Sequence, residues 1–349
     1  MRPQSLLAIG SLLVIASAGR AETTKTLRVT LEGGTGRPFA VENLAGTMTV
    51  IGGEGGVVTA VAVIHAEDDT LAEAVRFEQV AGKDGVPTLR VVYPLDREST
   101  FRYPAASGSS TVEYADRKVR VSRGSGALLW AEVEVHVPGQ VGDATFRNLV
   151  GTLHAAGIAG RLLLDSASGD IDARELGGTV RADTGSGDVR AESVKGVFTC
   201  DTGSGDCTVT GFDGSDLVCD TGSGDVRLSK ATSGKVTADT GSGSVRIDGA
   251  DIEELDADTG SGSVAAEVVG TRLRRVKADT GSGSFTLRLP PETSFELATD
   301  MGGGDLKCEF ADARAIVRHR EVVGYSRGEG KVRIDADTGS GDVTIGPTR

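Results

Sequence analysis

Asp183-Thr184-Gly185-Ser186-Gly187-Asp188-Val189 reads as a glycine-rich turn leading into a short strand, and the chain repeats it at a nearly fixed interval. Asp-Thr-Gly-Ser-Gly begins at Asp183, Asp201, Asp220, Asp239, Asp258, Asp279 and Asp337, with degenerate copies at Asp165 and Asp300. Successive starts lie 18, 18, 19, 19, 19, 21, 21 and 37 residues apart. Self-similarity at such a period marks stacked repeats. The 37-residue gap reads as one rung carrying an insertion within residues 311–330.

Alignment on the Asp shows which positions face inward. Three residues before it stand apolar side chains such as Leu162, Val180, Phe198, Leu255 and Ile334. One residue before it stand small ones such as Ala182, Cys200, Cys219 and Ala257. Six and eight residues after it come further apolar pairs, among them Val189 with Ala191 and Val245 with Ile247. A separation of two within each pair is strand periodicity. The sequence therefore predicts an all-β fold, a parallel β-solenoid of about nine rungs of 18–21 residues each. At ~4.8 Å per strand the stack would run roughly 43 Å. A hairpin meander also fits strand–turn–strand. Recurrence of one residue type at one phase favours in-register stacking, which rewards identity as antiparallel pairing does not.

The chain divides by this reading into a leader (residues 1–21), a β-rich N-terminal cap (residues 22–150) and the repeat region (residues 151–349). Within the cap, Val41 to Val50 reads as strand–turn–strand and Val57 to Ala66 as β-rich, with further strands near Thr88 to Val92, Lys118 to Ser122 and Leu128 to Val137. Asp69 to Val80 reads as a helix with Leu71, Ala74, Val75 and Val80 on one side, and Tyr103 to Gly108 as an exposed loop. Val-Glu-Asn-Leu-Ala-Gly-Thr-Met-Thr-Val from Val41, Val-His-Val-Pro from Val135 and the tandem Thr-Gly-Ser-Gly-Asp-Val units resemble one bacterial family. It comprises exported β-strand-repeat proteins of unknown function that carry the name adhesin. The resemblance covers the chain from about residue 27 onward, implies a β-solenoid outside the cytoplasm, and brings no catalytic residues.

Composition agrees. Fifty glycines against nine prolines, with only 4% aromatics, favour a core of many small stacked side chains. A net charge of −13 argues against nucleic acid, which needs a basic face. Arg2, the apolar run Leu6 to Ala16 and Ala16-Ser17-Ala18 read as an export signal, too short to make a stable transmembrane anchor. The expected location is the periplasm, cell envelope or extracellular space.

Asp-Thr-Gly-Ser is also the active-site string of pepsin-like proteases, but those need two such Asp converging on one water. Seven copies at rung spacing do not supply that. Each repeated Asp should point outward, where its carboxylate could accept N–H bonds from its own Thr-Gly-Ser turn. A second outward row five residues on includes Asp170, Asp188, Asp206, Asp225, Ser244, Ser263, Ser284, Asp305 and Asp342. Stacked like charges repel, and Arg190 and Arg227, or a hard cation such as Ca²⁺, could compensate. A flat Thr/Ser ladder could instead form a recognition face.

Cys200 and Cys219 share one inward position, with Cys207 and Cys308 on two other ladders. They read as small apolar side chains, with a Cys200–Cys219 or Cys200–Cys207 disulfide as the alternative. No zinc-type spacing accompanies them. His65, His136, His154 and His319 are scattered along the chain, and Trp130 and Tyr93 read as core. Arg272, Arg274, Arg275 and Lys277 form one basic cluster, a solvated face or a partner for nearby acids. No catalytic, cofactor-binding or metal-binding residue is assigned. The expectation is a non-catalytic, adhesin-like interaction protein with a protein or glycan partner. A polysaccharide-acting enzyme and an envelope sensor are the alternatives; the enzyme would use residues 300–305 and the insertion.

Overall fold

The computed structural model describes residues 22–31, 36–82 and 85–348. The leader read over residues 1–21 lies outside them. The described residues form two compact units that divide between Gly187 and Asp188.

In the second unit each repeat contributes two strands. A leading strand ends in Asp-Thr, as in Lys195–Thr202, Asp213–Thr221 and Thr232–Thr240; a trailing strand follows Gly-Ser-Gly, as in Cys207–Thr210 and Val226–Ser229. Neighbouring copies pair parallel and in register, so that Asp201, Asp220, Asp239, Asp258 and Asp279 lie side by side. Parallel in-register pairing is the solenoid signature and rules out the hairpin meander. The ladders read from sequence are the core: Phe198, Leu217, Val236, Leu255 and Val276 are at most 1% exposed. Burying each such side chain contributes about 1.5–3 kcal/mol.

The stacking order departs from the chain order. Arg275–Thr280 pairs with Val332–Thr338, and Val332–Thr338 pairs on its other edge with Phe295–Met301. In the trailing sheet Val343–Pro347 likewise sits between Phe285–Leu289 and Leu306–Cys308. The Asp337 copy is thus inserted between the Asp279 and Asp300 copies. As the spacing suggested, the 37-residue gap holds an insertion within residues 311–330. It is a hairpin, Arg314–Arg318 with Glu321–Arg327, which pairs antiparallel on the outer edge of Phe295–Met301. The consensus copy lies inside because its turn is built to be covered on both sides. Thr338 is 3% exposed, whereas the degenerate Asp300 copy has Met301, half-buried, in that place.

Two contacts hold the inserted rung. Arg288 reaches over Gly346 to bond Glu309, which also meets Lys307 at 2.8 Å. A side chain at Gly346 would strike the Arg288 guanidinium, 2.2 Å from where its Cβ would stand. The crossover from Arg327 to Val332 is pinned at Ser294, whose hydroxyl and carbonyl accept the Lys331 and Val332 N–H groups.

The first unit is likewise built on two sheets, with a different beginning. Phe39–Ala45 and Met48–Gly53 form a first strand pair, flanked in register by Gln140–Val150 and Leu153–Ala156. Thr23–Leu31, Val58–Ala66 and Ala127–Pro138 extend one sheet, and Pro87–Val92 with Arg76–Ala81 extends the other. The helix read over residues 69–80 is real only as Asp69–Ala74, capped by the Asp68 carboxylate on the Leu71 N–H. Arg76–Ala81 is drawn instead into antiparallel pairing, tertiary context overriding the helical period. Tyr103 to Gly108 is a loop, but Tyr103 and Ala106 are buried in it.

Candidate functional site: the carboxylate column

The alternation that buries Cys200 and Thr202 turns Asp201 outward. Stacking in register makes a column of seven aspartates, in the order Asp201, Asp220, Asp239, Asp258, Asp279, Asp337 and Asp300. Beside it runs a column of Thr199, Val218, Thr237, Asp256, Lys277 and Asp335.

The first unit shows what the fold does when it neutralises the equivalent column. There Glu42, 5% exposed, bonds Arg90 at 2.7 Å and Arg147 at 2.8 Å, and Arg147 bonds Asp165 at 2.6 Å. Charges alternate along those strands. In the second unit they do not. Burial, then the neighbours Asp220, Asp258 and Asp256, push the Asp239 carboxyl above its ordinary value. Burial and Asp279 do the same to Asp258, with Lys277 opposing.

The turn is capped by threonine rather than by the Asp, contrary to the Asx-turn expectation. The Thr240 hydroxyl accepts the Gly243 N–H at 3.0 Å and donates to the Gly224 carbonyl of the neighbouring rung at 2.8 Å. Thr221 and Thr259 repeat both bonds. These threonines are at most 1% exposed, so they form an internal ladder rather than an outward recognition face. The alternation that sets the Asp outward implied this, since the next residue must point in. Rungs approach so closely at the turn that a Cβ on Gly243 would lie 1.9 Å from the Gly224 carbonyl oxygen.

The second outward row has its own role, invisible in composition. Each side chain accepts the backbone N–H of its counterpart in the next rung: Asp206 N–H to Asp188 at 3.0 Å, Asp225 to Asp206 at 2.8 Å and Ser244 to Asp225 at 2.9 Å. Ser263, Ser284, Asp342 and Asp305 continue the series. Arg227 bonds both Asp206 and Asp225, and Arg190 bonds Asp188 at 2.6 Å, as the charge pattern required. Burial alone would raise the Asp206 carboxyl; the Asp225 N–H and the Arg227 guanidinium bring it below its ordinary value.

Of the basic cluster, Arg272 meets Glu253 at 3.2 Å, while Arg275 and Lys277 line a shallow depression of about 400 Å³ with Thr299, Asp300, Asp335 and Asp337. His65, His136 and His154 share one outward face of the first unit, each beside a carboxylate: Glu22 at 2.5 Å, Glu134 at 2.6 Å and Asp172 at 2.9 Å. Tyr93 is core, hydrogen-bonded to Asn43, but Trp130 is stacked on His65 at 3.9 Å on the outward side. Cys200 and Cys207 form a disulfide, while Cys219, buried, and Cys308, half-buried, are free. Among the described residues only Cys200, Cys207 and Cys219 bring three candidate ligand atoms within 4.8 Å of one another. The aspartate rows do not.

No curated protein matches the chain. Solved structures similar to it include a proposed adhesin from Bacteroides fragilis NCTC 9343 (10% identity, TM-score 0.37, 92% of this chain and 97% of that one). A proposed cell adhesion protein from Clostridium sporogenes ATCC 15579 has 11% identity and TM-score 0.24 over 93% of this chain and all of that one. A proposed lipid-binding protein from Parabacteroides distasonis ATCC 8503 has 9% identity and TM-score 0.33 over 93% and 97%. These likenesses say nothing of ligand or activity. The family model described as Toastrack DUF4097 matches residues 178–346, the stretch that holds the complete repeats. Over residues 178–346, a little under half of its length, the chain is similar to the Toastrack DUF4097 family.

Proposed function

We propose that the protein is a non-catalytic, exported interaction protein of the cell envelope, adhesin-like in role, with residues 22–150 shielding the first rung. Its working surface is the leading sheet of the second unit. The observation that carries the reading is the stacked acidic column through Asp239 and Asp258, whose carboxyls burial and acidic neighbours push above the ordinary value, kept where the first unit alternates Arg with acid. Like charges stacked at strand spacing cost stability, and a surface that keeps them offers a cationic partner a periodic set of acceptors. A basic protein surface fits directly; a glycan would need a bridging cation such as Ca²⁺. No helix among the described residues is long and apolar enough to cross a membrane.

The test is binding of purified protein to protein and glycan arrays with millimolar Ca²⁺ and with EDTA, beside Asp239→Asn/Asp258→Asn. Selective binding lost in the double variant supports the reading. Binding unaffected by it would refute this surface. Calcium dependence of both binding and melting temperature would assign the glycan route. A second reading rests on the depression where Asp300 and Asp337 of the column meet Asp335, Arg275 and Lys277, whose acids could serve polysaccharide cleavage. Release of reducing ends, abolished by Asp337→Asn, would establish it.

A further inference from the structure

The four cysteines are not equivalent, and three of them meet. Cys200 stands on a leading strand and Cys207 on the trailing strand after the same turn, and their disulfide spans Cα atoms 6.5 Å apart. Cys219 is the in-register neighbour of Cys200 on the next rung. All three are fully buried, and their sulfurs lie within 4.8 Å of one another. Around them the ladder positions hold Phe198, Leu217, Val189 and Val226. The wall is apolar and carries no charge to stabilise a thiolate or a metal–thiolate cluster.

We propose that Cys200, Cys207 and Cys219 form one buried three-sulfur exchange site, in which the disulfide can occupy either of two places. In one it closes the turn within a rung, Cys200 to Cys207. In the other it joins two rungs, Cys200 to Cys219. The Cys219 thiolate attacks the Cys200 sulfur, the Cys200–Cys207 bond breaks, and Cys207 leaves as a thiolate that takes up the proton Cys219 gave. Electrons and protons balance within the three residues, so no outside oxidant is consumed. Parallel neighbours at ~4.8 Å fall inside the Cα range for a disulfide, though with Cβ atoms at the long end. The in-rung bond is therefore the resting form. Burial pushes the Cys219 thiol well above its ordinary range, which keeps it protonated and makes exchange slow at neutral pH. Rising pH, or local opening of the turn, releases it. The other free thiol, Cys308, is half-buried and belongs to a different ladder.

Cleavage before aspartate separates the three sulfurs, because Asp201, Asp206, Asp213, Asp216 and Asp220 lie between and beside them. Full-length protein is held at pH 7 and at pH 9, quenched in acid, alkylated, cleaved and mapped without reduction. The fragment ending at Cys200 should be joined to that holding Cys207 at pH 7, and increasingly to that ending at Cys219 at pH 9. A map unchanged at pH 9 would overturn the proposal. Cys207→Ala, refolded in a glutathione redox buffer, tests the second position directly. A Cys200–Cys219 bond and one titratable thiol, Cys308, are expected in denaturant; three titratable thiols would overturn it. Should Cys207→Ala fail to fold, the pH 9 map of the natural chain decides. Cys219→Ala must show no migration.

Discussion

Thr240→Val distinguishes the two ways the repeated turn could be capped. The change keeps shape and removes one hydroxyl that makes two bonds, to the Gly243 N–H at 3.0 Å and the Gly224 carbonyl at 2.8 Å. The site is dry, with Thr240 1% exposed. A buried donor left unsatisfied costs about 1–3 kcal/mol and a second lost bond about 0.5–1.5, so the variant should lose about 1.5–4.5 kcal/mol. Asp239→Asn should move the other way, by removing one of a stack of like charges. Guanidinium unfolding followed by circular dichroism is the assay, since the single tryptophan, Trp130, lies in the first unit and would report on that unit. If Thr240→Val stays within about 0.5 kcal/mol while Asp239→Asn destabilises by 1 or more, the aspartate is the cap and the assignment is wrong.

Acid should act on the two outward rows with opposite sign. Asp239 and Asp258 have folded values above the ordinary 3.8, so the folded state holds their protons more tightly and gains stability as pH falls through that raised range. Asp206 and Glu309, the latter lowered to about 2, gain stability from being ionised and lose it as pH falls below the ordinary carboxylate range toward their folded values. Asp239→Asn/Asp258→Asn should therefore remove a rise in melting temperature on mild acidification that the natural chain shows; an unchanged profile would count against the crowded column. Gly346→Val should speed hydrogen exchange in Leu306–Cys308 and Val343–Pro347 by displacing the Arg288–Glu309 bridge, with little change at Cys207–Thr210. Ending the chain at Gly330 should expose both Phe285–Leu289 and Phe295–Met301 to exchange. If the rungs stacked in chain order, Phe285–Leu289 would be covered by Leu306–Cys308 and would stay protected.

Much of the core was legible because each ladder position is repeated and burial enforces the same residue type at the same phase. Phe198, Cys200, Cys207 and Val209 could be placed inside from spacing alone. Rung order could not, because every copy has the same phase and any permutation of copies satisfies the ladders equally. The Thr ladder was within reach of the same alternation, yet the side-chain-to-backbone row from Asp188 to Asp305 was not, since Asp and Ser there read simply as polar. Glu42, Arg90 and Arg147 lie outside the repeat frame, and only strand pairing over 48 and 105 residues brings them together. The insertion within residues 311–330 was legible from the 37-residue gap, but its form, the hairpin Arg314–Arg318 with Glu321–Arg327, was not, because its residues belong to no rung.

The inserted rung has a kinetic consequence. Elsewhere in the second unit a rung closes on one it has just left; the bond from Ser263 to Ser244 spans 19 residues. The corresponding bond from Asp342 to Ser284 spans 58. A threefold longer loop costs about 1 kcal/mol more to close, and until it closes, residues 295–327 have no inner wall to stack on. Residues 295–327 leave the ribosome before the segment that must lie beneath them. The far end of the coil therefore assembles as a single cooperative step, with residues 332–347 as its keystone. Stability at this end is concentrated in the one rung that arrives late, and a lesion there should release two rungs and the hairpin together.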